Sequence, residues 1–548
     1  MQRRSARGWG LSVMIGMAAV VAAIPAGTQP AFAQKRKQRN RKTSKKPARP
    51  KLPPLRTAED KRRFLEAIRR QMPTIRIGRK LRFTSDDLDR SLELSIGLPR
   101  SGYAPLVNDE TFLRRVSQDL TGELPDVKQI RAFVRDTDKR KRSKLIDRLL
   151  ASKAYARKWA KYWRDVIFHV STANRRRVNP GALENWFATQ FEQNTPWDRI
   201  TAELVSAMPQ RKRGKGKKNR NNYGQNEGQN NFILAYENKP VEVASQTARI
   251  FMGISIQCAQ CHDHPFDRWK REQFHELAAF FARGKYYMTD RDDPAKKTEM
   301  KARFLLGETP PAGLDANGRR VAVAAYLIYN PGNYWFARAY VNRIWNELIG
   351  DGFYAVDSLG PDSEVVHKLV VNRLAAVFRY RGFDVKWVFR TIMNSRAYQR
   401  DIRTIRKDED LFTAVRPSRL RPDQVVASVK AVTGSVRGLD RNLARIFKIN
   451  PSVPQRDMEG SIQQALLLMN NRALQPRLKN GPLKRRLAAI RDNERMIEEL
   501  YLGVLARTPR SAETQRGLRF LKRVKNRTEA IEDLIWVLVN STEFITKR

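Results

Sequence analysis

Apolar residues recur at intervals of three and four positions along most of the 548-residue chain. This spacing places them on one face of an α-helix, whereas the strict alternation typical of a half-buried strand is scarce. Turn signals such as Leu124-Pro125 separate the periodic segments. The pattern therefore predicts a mainly α fold made of many helices. The clearest periodic segments are residues 112–120, 144–150, 155–168, 241–254, 274–281, 337–348 and 369–378.

Changes in composition along the chain predict its domain organisation. We expect two packed helical domains behind a disordered basic N-terminal segment, because about 515 residues exceed the usual size of one domain. The predicted order is a signal peptide (1–33), a basic tail (34–55), a linker or peripheral segment (56–104), a front helical domain (105–285), a linker (286–318) and a rear helical domain (319–548).

The N-terminus has the features of an export signal. Arg3, Arg4 and Arg7 precede an apolar run over residues 11–24, and Ala31-Phe32-Ala33 supplies small residues for cleavage. The apolar run is shorter than the roughly 20 residues of a spanning helix, which disfavours the alternative of a retained anchor. The sequence thus predicts an exported protein of the periplasm or cell surface.

Basic charge is concentrated in two segments of a chain whose formal net charge is +50. Residues 34–55 contain no acidic residue and too few apolar ones to offset the cost of ordering. Residues 211–220 lead into an Asn/Gly-rich stretch, which predicts a flexible loop over 208–230. Nucleic acid is disfavoured as a partner because neither segment interleaves aromatic residues or resembles a groove-reading element. The charge instead favours an anionic envelope polymer or lipid.

Both cysteines and three of the five histidines lie between residues 258 and 275. Cys258-Ala-Gln-Cys261-His262 has the spacing of covalent haem c attachment. Two thiols three residues apart reach both vinyl groups of the porphyrin, while the adjacent imidazole reaches the iron. Cys258, Cys261 and His262 are therefore predicted to bind haem c, and a redox partner follows from that prediction.

Two alternatives for this segment stay open. A zinc or non-haem iron site would use the cysteines with His262, His264 and His275, since thiolate and imidazole suit both metals. A Cys258–Cys261 disulfide without any cofactor is the other, because exported cysteine pairs usually oxidise.

Several polar residues are weaker candidates around this segment. If haem is bound, the distal ligand is Met252, His275, His169 or an open position. Asp263 and Asp267 flank the histidines and are candidate acceptors for imidazole N–H groups.

Other polar residues give no hydrolase signal. The chain has no phosphate-cradling glycine loop, nucleophile elbow or paired-metal motif, which disfavours hydrolysis. The predicted helix at 337–348 carries a polar face for which a buried ion-pair network is favoured over an anion site. That face contains Arg338, Asn342, Arg343 and Trp345.

Longer motifs extend these observations over most of residues 105–548. They include Phe112-Leu-Arg-Arg-Val-Ser-Gln-Asp-Leu-Thr-Gly122, Cys258-Ala-Gln-Cys-His-Asp-His-Pro-Phe-Asp-Arg-Trp269, Phe336-Ala-Arg-Ala-Tyr-Val-Asn-Arg-Ile-Trp345, Arg419-Leu-Arg-Pro-Asp-Gln424 and Gln464-Ala-Leu-Leu-Leu-Met-Asn-Asn471. With them the chain resembles the planctomycete cytochrome-associated secreted proteins, which pair a domain of unknown function 1549 with a domain of unknown function 1553. The resemblance implies an exported protein of undefined biochemical role. Lys368 follows His367 where that family usually has His-Pro, so no role is carried over to His367.

Three functions follow from the sequence. The first is an exported cytochrome-like protein that binds haem c and transfers electrons. The second is a non-catalytic envelope scaffold that binds acidic polymer through its basic segments. The third is a metal-dependent hydrolase of acidic polysaccharide, suggested by His262, His264 and the net charge. No small-molecule substrate is indicated.

Overall fold

A computed structural model of the chain describes residues 57–71, 82–171, 173–174, 176–210, 223–265, 267–358, 364–403, 412–454 and 460–547. The predicted mainly α fold is confirmed. Within these ranges, α-helices dominate and strands form only two small antiparallel pairs. The helices are α1 (Ala58–Gln71), α2 (Ser85–Ile96), α3 (Asp109–Thr121), α4 (Val127–Arg135), α5 (Lys141–Leu150), α6 (Lys153–Phe168), α7 (Pro180–Glu192), α8 (Trp197–Val205), α9 (Asn230–Ala235), α10 (Pro240–Thr247), α11 (Arg271–Ala279), α12 (Ala316–Tyr329), α13 (Trp335–Ile349), α14 (Lys368–Tyr380), α15 (Val385–Met393), α16 (Arg396–Gln399), α17 (Pro422–Thr433), α18 (Asp440–Ile446), α19 (Ile462–Asn470), α20 (Gln475–Asn480), α21 (Pro482–Ala488), α22 (Asn493–Leu505), α23 (Ser511–Arg523) and α24 (Arg527–Val539).

The strands belong to two short ladders. β1 (Tyr286–Thr289) pairs antiparallel with β2 (Lys297–Met300), and Tyr286 lies opposite Met300. β3 (Ser418–Arg419) pairs antiparallel with β4 (Thr546–Lys547). The second ladder brings the C-terminal residues back beside the start of α17.

Local capping explains where several helices begin and end. The Thr84 side chain accepts a hydrogen bond from the Asp87 amide, and the Asp87 carboxylate accepts one from the Thr84 amide, which closes a capping box at the start of α2. Gly122 follows the last residue of α3, and its φ of 76° is in the left-handed region that favours glycine.

Most buried side chains from α1 to α16 form one hydrophobic cluster. Trp163 of α6 stacks on Tyr340 of α13 with ring centroids 5.9 Å apart, and Trp197 of α8 lies 4.8 Å from the same tyrosine ring. Helices from both predicted helical domains therefore contribute to this core. Aromatic contacts of this kind add to the stabilisation that burial alone provides.

A second hydrophobic cluster lies in the C-terminal helices α17–α24. Leu443, Leu487, Leu500 and Ile531 are completely buried within it. Each comes from a different helix, so the cluster holds α18, α21, α22 and α24 together.

The two segments predicted as linkers contain regular structure. Residues 56–104 include α1 and α2, and α2 buries Leu88 and Leu92 while its Asp89 accepts hydrogen bonds from the amides of Arg396 and Ala397. Residues 286–318 include the β1–β2 hairpin.

The predicted signal peptide (1–33), the basic tail (34–55) and residues 211–222 of the predicted loop lie outside the described residues. Among the described helices, none combines the length and apolar character needed to cross a membrane.

Candidate functional site around Cys258 and Cys261

The two cysteines lie on a short 3₁₀ turn over Gln257–Gln260 and the residue that follows it. Ile256 and Ala259 are buried under the turn, whereas both cysteine side chains are exposed. The Cys261 amide donates to the Cys258 carbonyl oxygen at 3.4 Å, which closes the turn. Both cysteines are free thiols in this structure. The turn thus presents two accessible sulfur atoms three residues apart.

His262 follows the turn and is exposed to solvent. Its Nδ1 atom lies 2.6 Å from the main-chain oxygen of Asp263. Because a carbonyl oxygen only accepts, this contact assigns the proton to Nδ1 and leaves the lone pair on Nε2. His262 is therefore in the tautomer that can bind a metal through Nε2.

Asp263 connects the turn to the start of α11. Its carboxylate forms an ion pair with Lys270 at 2.7 Å and accepts a hydrogen bond from the Arg271 amide at 3.0 Å. These two interactions hold the pKa of the Asp263 carboxyl below its usual range. The contact to the His262 imidazole comes from the Asp263 main chain, not from the side chain that was predicted to accept it.

His275 lies beneath the turn. Its side chain is buried, with Nε2 3.0 Å from the Gln260 carbonyl oxygen and Nδ1 2.8 Å from the Tyr286 hydroxyl. The carbonyl can only accept, so Nε2 carries the proton and Nδ1 accepts from Tyr286. Burial lowers the pKa of His275, partly opposed by the Gln260 hydrogen bond, and burial raises the pKa of Tyr286 to about 12. Both ring nitrogens of a neutral His275 are thus engaged within the protein.

The segment after the turn is anchored by Trp269. The His264 amide donates to the Trp269 carbonyl oxygen at 2.8 Å, and the Trp269 ring packs edge-on against Trp335 of α13 with centroids 5.8 Å apart. Arg268 lies over both tryptophan rings. Burial raises the pKa of Asp267, and the hydrogen bond that its carboxylate accepts from the Arg268 amide partly opposes this shift.

The other candidate ligands occupy different environments. Met252 is buried in a π-helical turn over Ala248–Met252. His169 ends α6, and burial lowers its pKa with help from the charges of Lys448 and Arg249. His367 lies against Ser95, whose hydroxyl is 2.8 Å from Nδ1.

The residues of the turn have the chemistry that covalent haem attachment needs. In the part of the chain that the structure describes, no three His, Cys, Asp or Glu side chains converge to hold a metal ion. The two thiols are free and accessible, and the adjacent His262 keeps its Nε2 lone pair. Cys258 and Cys261 would hold a haem through thioether bonds, and His262 would supply a nitrogen ligand to its iron.

The polar face predicted on the helix at 337–348 is a buried network. Arg343 of α13 forms an ion pair with Asp357, which also accepts from Arg249 at 2.7 Å. Asn342 donates to the Tyr354 carbonyl oxygen at 2.9 Å. These contacts engage Asn342 and Arg343 within the protein, in line with the buried ion-pair network predicted for this face.

A cleft of about 1510 Å³ that no sequence motif marks is lined by residues of α1, α8 and α12. On its wall the Tyr329 hydroxyl donates to a buried Asp198 carboxylate at 3.1 Å, and burial raises the pKa of that carboxyl. The Arg69 guanidinium lies 4.9 Å from the Tyr329 ring centroid. These contacts join residues more than 100 positions apart, so no local pattern could have indicated the cleft. Neither cysteine lines it.

Comparison with known protein families assigns most of the helical region. The family model PSCyt2, a protein of unknown function (DUF1549), matches residues 89–286, and PSD1, a protein of unknown function (DUF1553), matches residues 319–444. The chain belongs to the family that joins these two domains in this order. The DUF1549 match contains the turn at 257–262, and residues 445–547 lie beyond the DUF1553 match. The name PSCyt2 points to an association with cytochromes, but both descriptions leave the function unknown. No curated protein and no solved structure matches the chain.

Proposed function

We propose that this protein is an exported cytochrome-like protein in which Cys258 and Cys261 attach haem c and His262 binds its iron. The observation that carries the proposal is one exposed turn with two free thiols, followed by an imidazole whose Nδ1 is held by the Asp263 carbonyl oxygen. When bound, the haem would supply one-electron redox chemistry. The chain supplies attachment, orientation and a surface position.

The attachment step needs no external oxidant. Each thiol would add across one vinyl group, with the sulfur bonding to one carbon and the hydrogen going to the other. Cys258 and Cys261 would have to be reduced for this reaction, and both are free thiols in the structure. The predicted export agrees with this chemistry because haem c is attached outside the cytoplasm.

Two interactions hold the turn ready for attachment. His275 donates to the Gln260 carbonyl oxygen from below, and the Asp263 carboxylate joins the end of the turn to Lys270 and the start of α11. The Asp263 main chain fixes the tautomer of His262. A redox partner would approach the same exposed surface, because electron transfer requires close approach to the haem edge.

The test is to produce the full chain with its export signal in a host that matures c-type cytochromes. We expect haem staining to follow the protein on a denaturing gel, because thioether-linked haem survives unfolding. Cys258→Ser together with Cys261→Ser should abolish the stain. His367→Gln, on another element, is the matched control and should leave it unchanged.

Colourless matured protein, or equal staining of the double cysteine variant, would refute the proposal. Metal analysis of such haem-free protein would then separate the two alternatives. Bound zinc or iron would favour a metal-dependent hydrolase, and metal-free protein would favour the envelope scaffold.

A further inference from the structure

Helix α19 has an apolar face that the described residues leave partly exposed. Its nine residues include no charged side chain. Leu467 and Leu468 are buried, whereas Ile462 is 79% exposed, Leu466 50% and Met469 39%. These three exposed side chains recur at intervals of four and three residues, so they form one stripe on the outer side of the helix. An α-helix that is apolar on both sides normally has both sides covered.

The elements that flank α19 are basic. Gln464 donates to the Ile446 carbonyl oxygen at 3.3 Å, which joins α19 to the end of α18, and Gln475 of α20 donates to the Met469 carbonyl oxygen at 2.7 Å. Between positions 434 and 480 the sequence contains eight arginines and lysines but three acidic residues. The exposed basic side chains on the flanking elements are Arg441, Arg445, Lys448, Arg472 and Lys479.

We propose that α19 and these flanking basic residues form a docking surface for an anionic lipid bilayer. An aliphatic stripe beside cationic side chains is the composition of helices that lie in the membrane interface. The stripe would enter the boundary between headgroups and acyl chains, while the arginines and lysines contact anionic headgroups. Apart from Arg441, this surface lies beyond the DUF1553 match, and the proposal does not depend on haem at the cysteine turn.

Other occupants fit the surface less well. A second copy of the chain, paired through the same face, would bring the two sets of basic residues together. Single-stranded nucleic acid would bind the cationic side chains. The aliphatic stripe has no aromatic ring on which bases could stack, so it would stay exposed to water. An anionic bilayer satisfies both the charge and the apolar surface.

The first experiment is flotation of the full chain with vesicles of phosphatidylcholine alone or mixed with phosphatidylglycerol. We expect binding to the mixed vesicles only, weakened by salt because the headgroup contacts are screened. Ile462→Gln with Leu466→Gln should reduce the partition coefficient at least about tenfold, since two aliphatic side chains would no longer enter the interface. The matched control is Leu94→Gln with Leu369→Gln, whose side chains are 85% and 82% exposed. This control should bind as the wild type does.

A second measurement separates insertion of α19 from general attraction of a basic chain to anionic vesicles. Leu466→Cys, in a Cys258→Ser and Cys261→Ser background, is labelled with a polarity-sensitive dye. We expect a blue shift with the mixed vesicles, and none for the same dye at Leu369→Cys. Unchanged dye emission at position 466, or equal flotation of the Ile462/Leu466 double variant, would overturn the proposal. A lipid-free dimer that this double variant abolishes would overturn it in favour of self-association.

Discussion

His275 holds the cysteine turn from below by donating a hydrogen bond from Nε2 to the Gln260 carbonyl oxygen at 3.0 Å. Gln260 lies between the two cysteines, so this bond fixes the main chain of the turn itself. The Tyr286 hydroxyl donates to the other ring nitrogen, Nδ1, at 2.8 Å. The neutral imidazole of His275 therefore carries its proton on Nε2. His275, which was predicted as a candidate metal ligand, thus positions the main chain of the cysteine turn.

We predict that His275→Leu destabilises the haem-free protein by about 1–3 kcal/mol, because the Gln260 carbonyl and the Tyr286 hydroxyl lose their partner in a buried environment. Urea unfolding followed by circular dichroism measures the change. His262→Leu is the matched control, since its imidazole is exposed and bonds only the neighbouring residue. Equal stabilities of the two variants would contradict the role assigned to His275.

The contribution of His275 should also depend on pH. Burial lowers its pKa in the folded protein, so the folded state binds its proton less readily than the unfolded chain, where the pKa is about 6.5. The stabilisation is complete above that value and is lost as the pH falls from it through the lower pKa of the folded protein. We therefore expect the difference in unfolding free energy between wild type and His275→Leu to shrink between pH 7.5 and pH 5. If this difference in unfolding free energy grew on acidification, the pKa of His275 would be raised and not lowered in the folded protein.

Asp357 is the shared acceptor of a buried ion network, so its removal should lower the free energy of unfolding. It accepts from Arg343, from Arg249 at 2.7 Å and from the Ser452 hydroxyl. Asp357→Ala would leave two guanidinium groups without their counter-charge, and we predict a loss of about 3–5 kcal/mol in unfolding free energy.

The control for this prediction is Asp147→Ala. Asp147 pairs with Arg390 at 2.6 Å, but both side chains are about half exposed, so the expected loss is at most about 1 kcal/mol. Similar losses in the two variants would mean that burial does not set the strength of the Asp357 network.

Lys547 reaches from the C-terminus to Asp119 of α3. Its Nζ lies 2.7 Å from one carboxylate oxygen of Asp119, and the Tyr398 hydroxyl donates to the other at 2.8 Å. Lys547→Met would remove the cation that bonds directly to the buried Asp119 carboxylate, and we predict a loss of about 3 kcal/mol or more in thermal or urea unfolding. Lys525→Met, at an exposed position, should change stability by less than about 0.5 kcal/mol. A loss below 1 kcal/mol for Lys547→Met would show that this contact is dispensable.

The helices were largely predictable because their core positions repeat locally. Residues 155–168 were expected to be helical and form the body of α6, and residues 337–348 form the body of α13. The helix predicted over 241–254 is interrupted, since α10 ends at Thr247 and a π-helical turn follows over Ala248–Met252. A π-helical turn contains about one residue more than an α-helical turn, and this difference is too small to change the spacing of apolar residues recognisably.

α2 shows a signal that the sequence analysis overlooked. Leu88, Leu92 and Ile96 recur every four residues behind the Thr84 capping box, which together predict an amphipathic helix. This pattern was present in the sequence, yet residues 56–104 were predicted to be a linker or peripheral segment.

The candidate site was predictable only in part. The spacing of Cys258, Cys261 and His262 is local, so the sequence could nominate them together. The support from Tyr286 could not be foreseen, because it comes from a strand in a segment predicted to be a linker. The pairing of Asp119 with Lys547 joins residues more than 400 positions apart, and no local pattern encodes it.

Arg507 binds two carboxylates, and this arrangement gives the clearest pH dependence in the described structure. Its guanidinium contacts both Glu513 oxygens at 2.8 Å and Glu543 at 2.7 Å. The hydrogen bonds from Arg507 lower the pKa of Glu513 from 4.5 to about 2, against the opposing effect of burial. A lowered carboxyl pKa stabilises the folded state at pH values above the pKa of the unfolded chain, and this stabilisation is lost as the pH falls towards 2.

Glu513→Gln should therefore lower the free energy of unfolding by roughly 2 kcal/mol at pH 7, allowing for partial solvent screening, and by much less at pH 3. Urea unfolding of wild type and variant at both pH values measures this difference, and a cost that stays constant between them would exclude ionisation of Glu513 as its source.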